Sequence, residues 1–158
     1  MASAFHAVEA SGIARFMREA LYAYPAVEAA HIAGLALLFG SIAIVDLRLL
    51  GLGRRVPLSP LIEFAVPWSI GGFVLAALTG SLMLTAHVEE FFDQPLFWLK
   101  MALIATAGAN AVALRRGALR TASTLLDAAP SARVRLAAGL SLALWTAVIA
   151  CGRMLAYF

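Results

Sequence analysis

The chain has 158 residues, of which 63% are hydrophobic and only 13% charged, with a formal net charge of +3. Soluble domains carry roughly 45–50% apolar and about 25% charged residues, and a chain this short buries only about two-thirds of its unfolded surface, so a water-soluble globule is excluded and lipid must cover the surplus. All but one of the 12 basic residues are arginine, gathered at the ends of apolar runs, which suits topology signals and headgroups and excludes a nucleic-acid surface.

The first segment, about 3–22, mixes Phe5, Val8, Ile13, Phe16, Met17 and Leu21 with His6, Glu9, Arg15, Arg18 and Glu19. That mixture predicts an amphipathic helix lying in the membrane interface, with Tyr22 and Tyr24 at headgroup depth. It is not a cleavable signal, because Met1 to Ala14 holds no Lys or Arg and His6 and Glu9 interrupt it.

A spanning helix needs about 20 mostly apolar residues, and four segments qualify, at about 26–50, 64–87, 96–115 and 136–157. Runs this long without period-two alternation exclude a β-barrel. The first connection carries Gly51, Gly53, Pro57 and Pro60; the second carries Glu89, Glu90, Asp93 and Pro95. The third, Arg115 to Arg135, is long enough for a short surface helix around 118–128, before Pro130. The expected fold is therefore all-α: a single domain over 1–158, a polytopic membrane four-helix bundle with an N-terminal interfacial amphipathic helix.

Arginines fix the expected orientation. Arg48, Arg54 and Arg55 flank the first connection and Arg115, Arg116, Arg120, Arg133 and Arg135 the third, whereas the second is acidic. Positive segments stay in the cytoplasm, which places the chain in a bacterial inner membrane with both termini periplasmic. Gly72, Ala76 and Gly80, and likewise Ala105, Ala109 and Ala113, recur every four residues and predict close helix packing. Asn110 is an expected interhelical donor, and Asp46 and Arg48, two apart, should meet a neighbouring helix or headgroups rather than each other.

Ionisable groups in a membrane cost roughly 2.5–3.5 kcal/mol each on insertion scales, and five of them fall in one band near the outer surface. Glu28 and His31 share a face early in the first span, His87 ends the second, Lys100 lies early in the third and Arg153 late in the fourth. Lys100 and Arg153 can snorkel to headgroups, and His87 can be solvated. A histidine turned into a bundle is also the usual holder of haem b. On that reading His31 is the axial metal ligand, Glu28 orients its ring, and Lys100 and Arg153 meet the propionates. The second metal ligand is His87 by depth, with Met83 the weaker candidate. The cofactor-binding set is thus His31, His87, Lys100, Arg153 and Glu28.

Tyr24-Pro25-x-x-Glu28-x-x-His31-x-x-Gly34, Asp46-Leu-Arg-Leu-Leu-Gly51, Trp68, Thr79-Gly80, Phe97-x-x-Lys100 and Gly108-x-Asn110 together resemble a family of small bacterial membrane proteins of unknown function. The match covers about residues 20 to 115. More distantly, a His early in the first span and a Lys early in the third resemble the HemJ-type protoporphyrinogen oxidases and the CopD copper-resistance proteins; the former likeness implies a haem enzyme using His31 and Lys100. The chain departs from both, with no aromatic-Arg motif after His31 and Ala113-Leu114-Arg115 where a histidine would end the third span.

The expected function is a haem b-binding redox protein, transferring electrons or oxidising a hydrophobic substrate such as a quinol or porphyrinogen. The alternatives are a cofactor-free structural or assembly subunit, as a homo-oligomer or in a larger membrane complex, and a transporter of a metal or small solute.

Overall fold

The computed structural model describes residues 2–122, 130–155 and 157. The described residues form helices α1 (Ala2–Glu9), α2 (Gly12–Glu19), α3 (Ala23–Leu50), α4 (Leu58–Ala86), α5 (Val88–Phe92), α6 (Pro95–Ala122) and α7 (Ala132–Met154). No strand occurs among them. Helices α3, α4, α6 and α7 are each long and apolar enough to cross a bilayer, and they pack as a bundle.

Each long helix exceeds the span expected from hydropathy, for local reasons. Helix α3 stops at Gly51, which adopts φ 107°, a conformation L side chains rarely tolerate; the Leu52 amide then bonds the Leu47 carbonyl at 3.0 Å, closing the turn. Helix α4 starts six residues before position 64 because Pro57 caps it and Pro60 falls in its first turn, where a missing N–H costs nothing. Ser131 caps α7, its hydroxyl accepting the Val134 amide at 3.4 Å. Helix α6 runs on to Ala122, so residues 118–122 of the expected surface helix are the end of α6; the remainder, to 128, lies outside the described residues.

The N-terminal segment is two helices, not one. Ser11 breaks it and caps α2, accepting the Ala14 amide at 3.2 Å. The inner face of α2, Ala14 and Met17, is almost fully buried against α4 and α3, so part of the apolar side expected to meet acyl chains meets protein. Ile13 and Phe16 remain exposed. Arg18 fastens this cap, donating to the Ala86 carbonyl at 3.0 Å and to the Glu9 carbonyl at 2.6 Å. Helices α1, α2 and α5 thus cover one end of the bundle, the capped end; Arg48, Arg54 and Arg55 mark the other.

Helices α3 and α4 meet backbone to backbone. A methyl group added at Gly34 would come 2.9 Å from the Ala76 amide nitrogen, and one at Gly72 would come 2.5 Å from that of Leu38. The Gly72-Ala76 pattern is therefore a packing face. The Ala105-Ala109-Ala113 stripe is not: all three are exposed, while Ala107 is fully buried. Two residues are about 200° apart on a helix, so Ala107, with Leu103 and Ile104, takes the inner face and the stripe points away.

The core joins Leu38 of α3, Ala107 of α6 and Trp145 and Val148 of α7. Asn110 donates to the Ala137 carbonyl of α7 at 3.0 Å. Packing runs α4 on α3, α3 on α7 and α7 on α6, but among the described residues α4 packs on neither α6 nor α7. The bundle has an open seam between α4 and α6, bridged at the capped end by α5.

At the far end Asp46 is buried at 3% exposure beside Ser141 of α7, a neighbouring helix, and its Oδ2 has no hydrogen-bond partner among the described residues. Arg48 donates to the carbonyls of Val56 at 2.7 Å and Arg54 at 3.2 Å, closing the α3–α4 connection.

Candidate functional site

His31 of α3 is half-buried towards α4, and its Nδ1 lies 3.0 Å from Thr79 Oγ1. The Thr79 hydroxyl has a single proton, and its shortest bond, 2.6 Å, goes to the Leu75 carbonyl one turn back. Thr79 therefore accepts from His31, which must carry its proton on Nδ1. The neutral ring then presents a bare Nε2 lone pair, the form in which histidine binds metals. The partner that sets the ring is thus Thr79. Glu28 shares the His31 face at i, i+3 but is exposed, with no hydrogen bond or ion pair among the described residues.

The ring lies over a glycine. A methyl group at Gly80 would come 3.1 Å from His31 Cε1 and 3.5 Å from Nδ1, so the missing side chain is what lets the imidazole seat there. Across the bundle Lys100 of α6 is half-buried, its ammonium folded over Gly152 of α7, where an added methyl would come 3.3 Å from Nζ. It has no carboxylate partner among the described residues. The structure thus brings His31, Thr79 and Gly80 together where α3 meets α4, with Lys100 over Gly152 where α6 meets α7.

Two expected site residues stand apart from this group. His87 follows Thr79 by eight residues, about 12 Å along a helix axis. It closes α4, with Nδ1 3.4 Å from Glu90 Oε2 at the exposed surface. His31 and His87 are therefore not placed as a pair of axial ligands. Arg153 is exposed; its guanidinium donates to the Tyr157 hydroxyl at 2.7 Å and lies 4.8 Å from the centre of that ring. A cation resting on its own helix-end tyrosine points to the interface, the snorkelling alternative. Met83 is half-buried one turn beyond Thr79 on the same face of α4.

Residues 12–158 match a family of unknown function, DUF6644. The chain belongs to that family. No curated protein and no solved structure matches it. The DUF6644 match takes in α2 to α7 and every residue of the His31 group, while α1, with His6 and Glu9, precedes it. Sequence reasoning did not give Thr79 a role, although Thr79-Gly80 stood out as a motif. The signal is the spacing: His31–Thr79, Gly34–Ala76 and Leu38–Gly72 each sum to 110, the register of one antiparallel pair with the tightest glycine contact at its centre.

Proposed function

We propose that this protein holds a b-type tetrapyrrole in the open seam, with His31 Nε2 as its axial ligand and Lys100 as the cation for a propionate. The observation that carries the reading is the Leu75–Thr79–His31 chain of hydrogen bonds, which leaves Nε2 bare inside a membrane helix bundle. Fixing the tautomer through a partner on the other ring nitrogen is how protein metal sites orient histidine. An ammonium with no carboxylate partner among the described residues fits an anionic group on the same ligand. Along the seam, among the described residues, the α4 and α6 backbones do not approach closely.

When bound, such a group supplies one-electron chemistry. The chain's own residues bind and orient: Thr79 holds the ring, Gly80 leaves it room, and Lys100 sets charge at one edge. With His87 distant, the side opposite His31 has no second histidine, an arrangement that suits oxidation of a hydrophobic quinol or porphyrinogen better than pure electron transfer. Arginine placement supports an inner-membrane orientation with the capped end and both termini outward.

A cofactor-free assembly subunit is the second reading, favoured by α6. Only 6% of its apolar span is buried, against 17–22% in the other three helices, and its exposed alanine stripe suits close approach of a further helix.

The test is an absorption spectrum of detergent-purified protein from cells supplied with haem precursor, oxidised and then dithionite-reduced. A Soret band with sharpened α and β bands on reduction is expected. A featureless visible spectrum from protein made with ample haem would sink the tetrapyrrole reading and leave the assembly role.

A further inference from the structure

The capped end carries a second histidine cluster, unrelated to His31. His6 and Glu9 lie on α1 and Glu89 on α5, and one ligand atom from each lies within 4.8 Å of the other two. His6 Nε2 stands 3.4 Å from Glu89 Oε1, and Glu9 Oε1 accepts the Glu89 amide at 3.1 Å.

No lysine or arginine competes for these carboxylates among the described residues. Arg18, the nearest guanidinium, bonds the main-chain carbonyls of Glu9 and Ala86 and neither carboxylate. Neither Glu9 nor Glu89 pairs with a lysine or arginine among the described residues. His87 and Glu90 form their own pair close by, so the local field is acidic. Phe5 stacks on Phe92 with centroids 4.9 Å apart, which holds α1 in register with α5 independently of any ion. One imidazole and two carboxylates make a borderline-hard donor set that suits Zn²⁺ or Mn²⁺ and leaves a fourth position for water.

We infer that His6, Glu9 and Glu89 form a divalent transition-metal site that staples helix α1 to α5 at the capped end of the bundle. The site joins residues some 80 positions apart, so occupancy ties the N-terminal helix to the element that bridges the α4–α6 seam. It stands whether or not the seam holds a tetrapyrrole.

The experiment is calorimetric titration of the full, detergent-purified chain, chelator-treated and free of a histidine tag, with Zn²⁺ and with Mg²⁺, alongside thermal unfolding with and without Zn²⁺. One Zn²⁺ per chain is expected, preferred over Mg²⁺, with a rise in unfolding temperature. His6→Ala and Glu89→Gln should each weaken Zn²⁺ at least about tenfold and abolish that rise, while His87→Ala and Glu90→Gln should change affinity less than about threefold. The His6 side chain is 69% exposed, so His6→Ala should fold normally; its unfolding temperature without metal checks this. Absent saturable Zn²⁺ binding overturns the site, as does binding that survives His6→Ala and Glu89→Gln or follows His87 instead.

Discussion

Replacing Gly72 by alanine should destabilise the bundle by about 3 kcal/mol or more, whereas the same change at Gly71 should be neutral or slightly stabilising. The added methyl at Gly72 would lie 2.5 Å from the Leu38 amide nitrogen, 2.8 Å from the Gly34 carbonyl oxygen and 3.0 Å from the Leu38 Cα. All three are main-chain atoms of α3, so no side chain can rotate away and the two helices must separate. Overpacking a tight contact costs about 1–3 kcal/mol and occasionally more, and this one sits in the most extensive interface of the molecule. At Gly71, one residue along, nothing lies within 4 Å, and alanine is the better helix former by about 0.8–1.0 kcal/mol. Unfolding of both variants in a detergent titration settles the matter. If Gly72→Ala resists unfolding as well as Gly71→Ala, the backbones do not meet there.

On the proposed tetrapyrrole reading, His31→Ala should remove the visible spectrum outright, and Thr79→Val should weaken retention by about 10- to 100-fold while leaving the histidine ligand in place. The second effect is the more informative. Valine keeps the β-branched shape of threonine but cannot accept the proton of Nδ1, the nitrogen 3.0 Å from Oγ1, so the ring loses its orientation and its tautomer preference. Losses of such outer partners cost about 10- to 100-fold elsewhere. His87→Ala should leave the bands unchanged, since His87 closes α4 beside Glu90. The readout is haem retained per chain on gel filtration, with the reduced-minus-oxidised difference spectrum. Bands that survive His31→Ala and vanish in His87→Ala would reverse the assignment.

The fold was largely legible because lipid imposes a simple rule, long apolar runs bounded by charge. The ends were less so: hydropathy ignores Pro57 and Pro60, which open α4 early because a first helical turn needs few of its own amide protons. Small-residue spacing identified Gly72 and Ala76 but could not say which of two faces of α6 was the inner one, and the alanine stripe proved to be the outer. Asn110 behaved as its polarity implied, since an amide in an apolar helix has few partners but a neighbouring backbone. Depth alone grouped the five ionisable residues. Rotation about each helix axis separates them, and rotation is set by contacts between residues far apart in sequence. That is why His31 turns to Thr79 and Lys100 to Gly152 while Arg153 turns to Tyr157.

The open seam also bears on how the chain is made. Its four spans form two consecutive antiparallel pairs, α3 with α4 and α6 with α7, joined among the described residues chiefly along α3 and α7. The tightest interface therefore lies within the first pair to be synthesised, and it needs nothing from the second. Contacts between neighbours in sequence form fast, and membrane helices associate after they are inserted. The first hairpin can reach its final packing while the second is still being translated, with α7 alone left to dock the two halves.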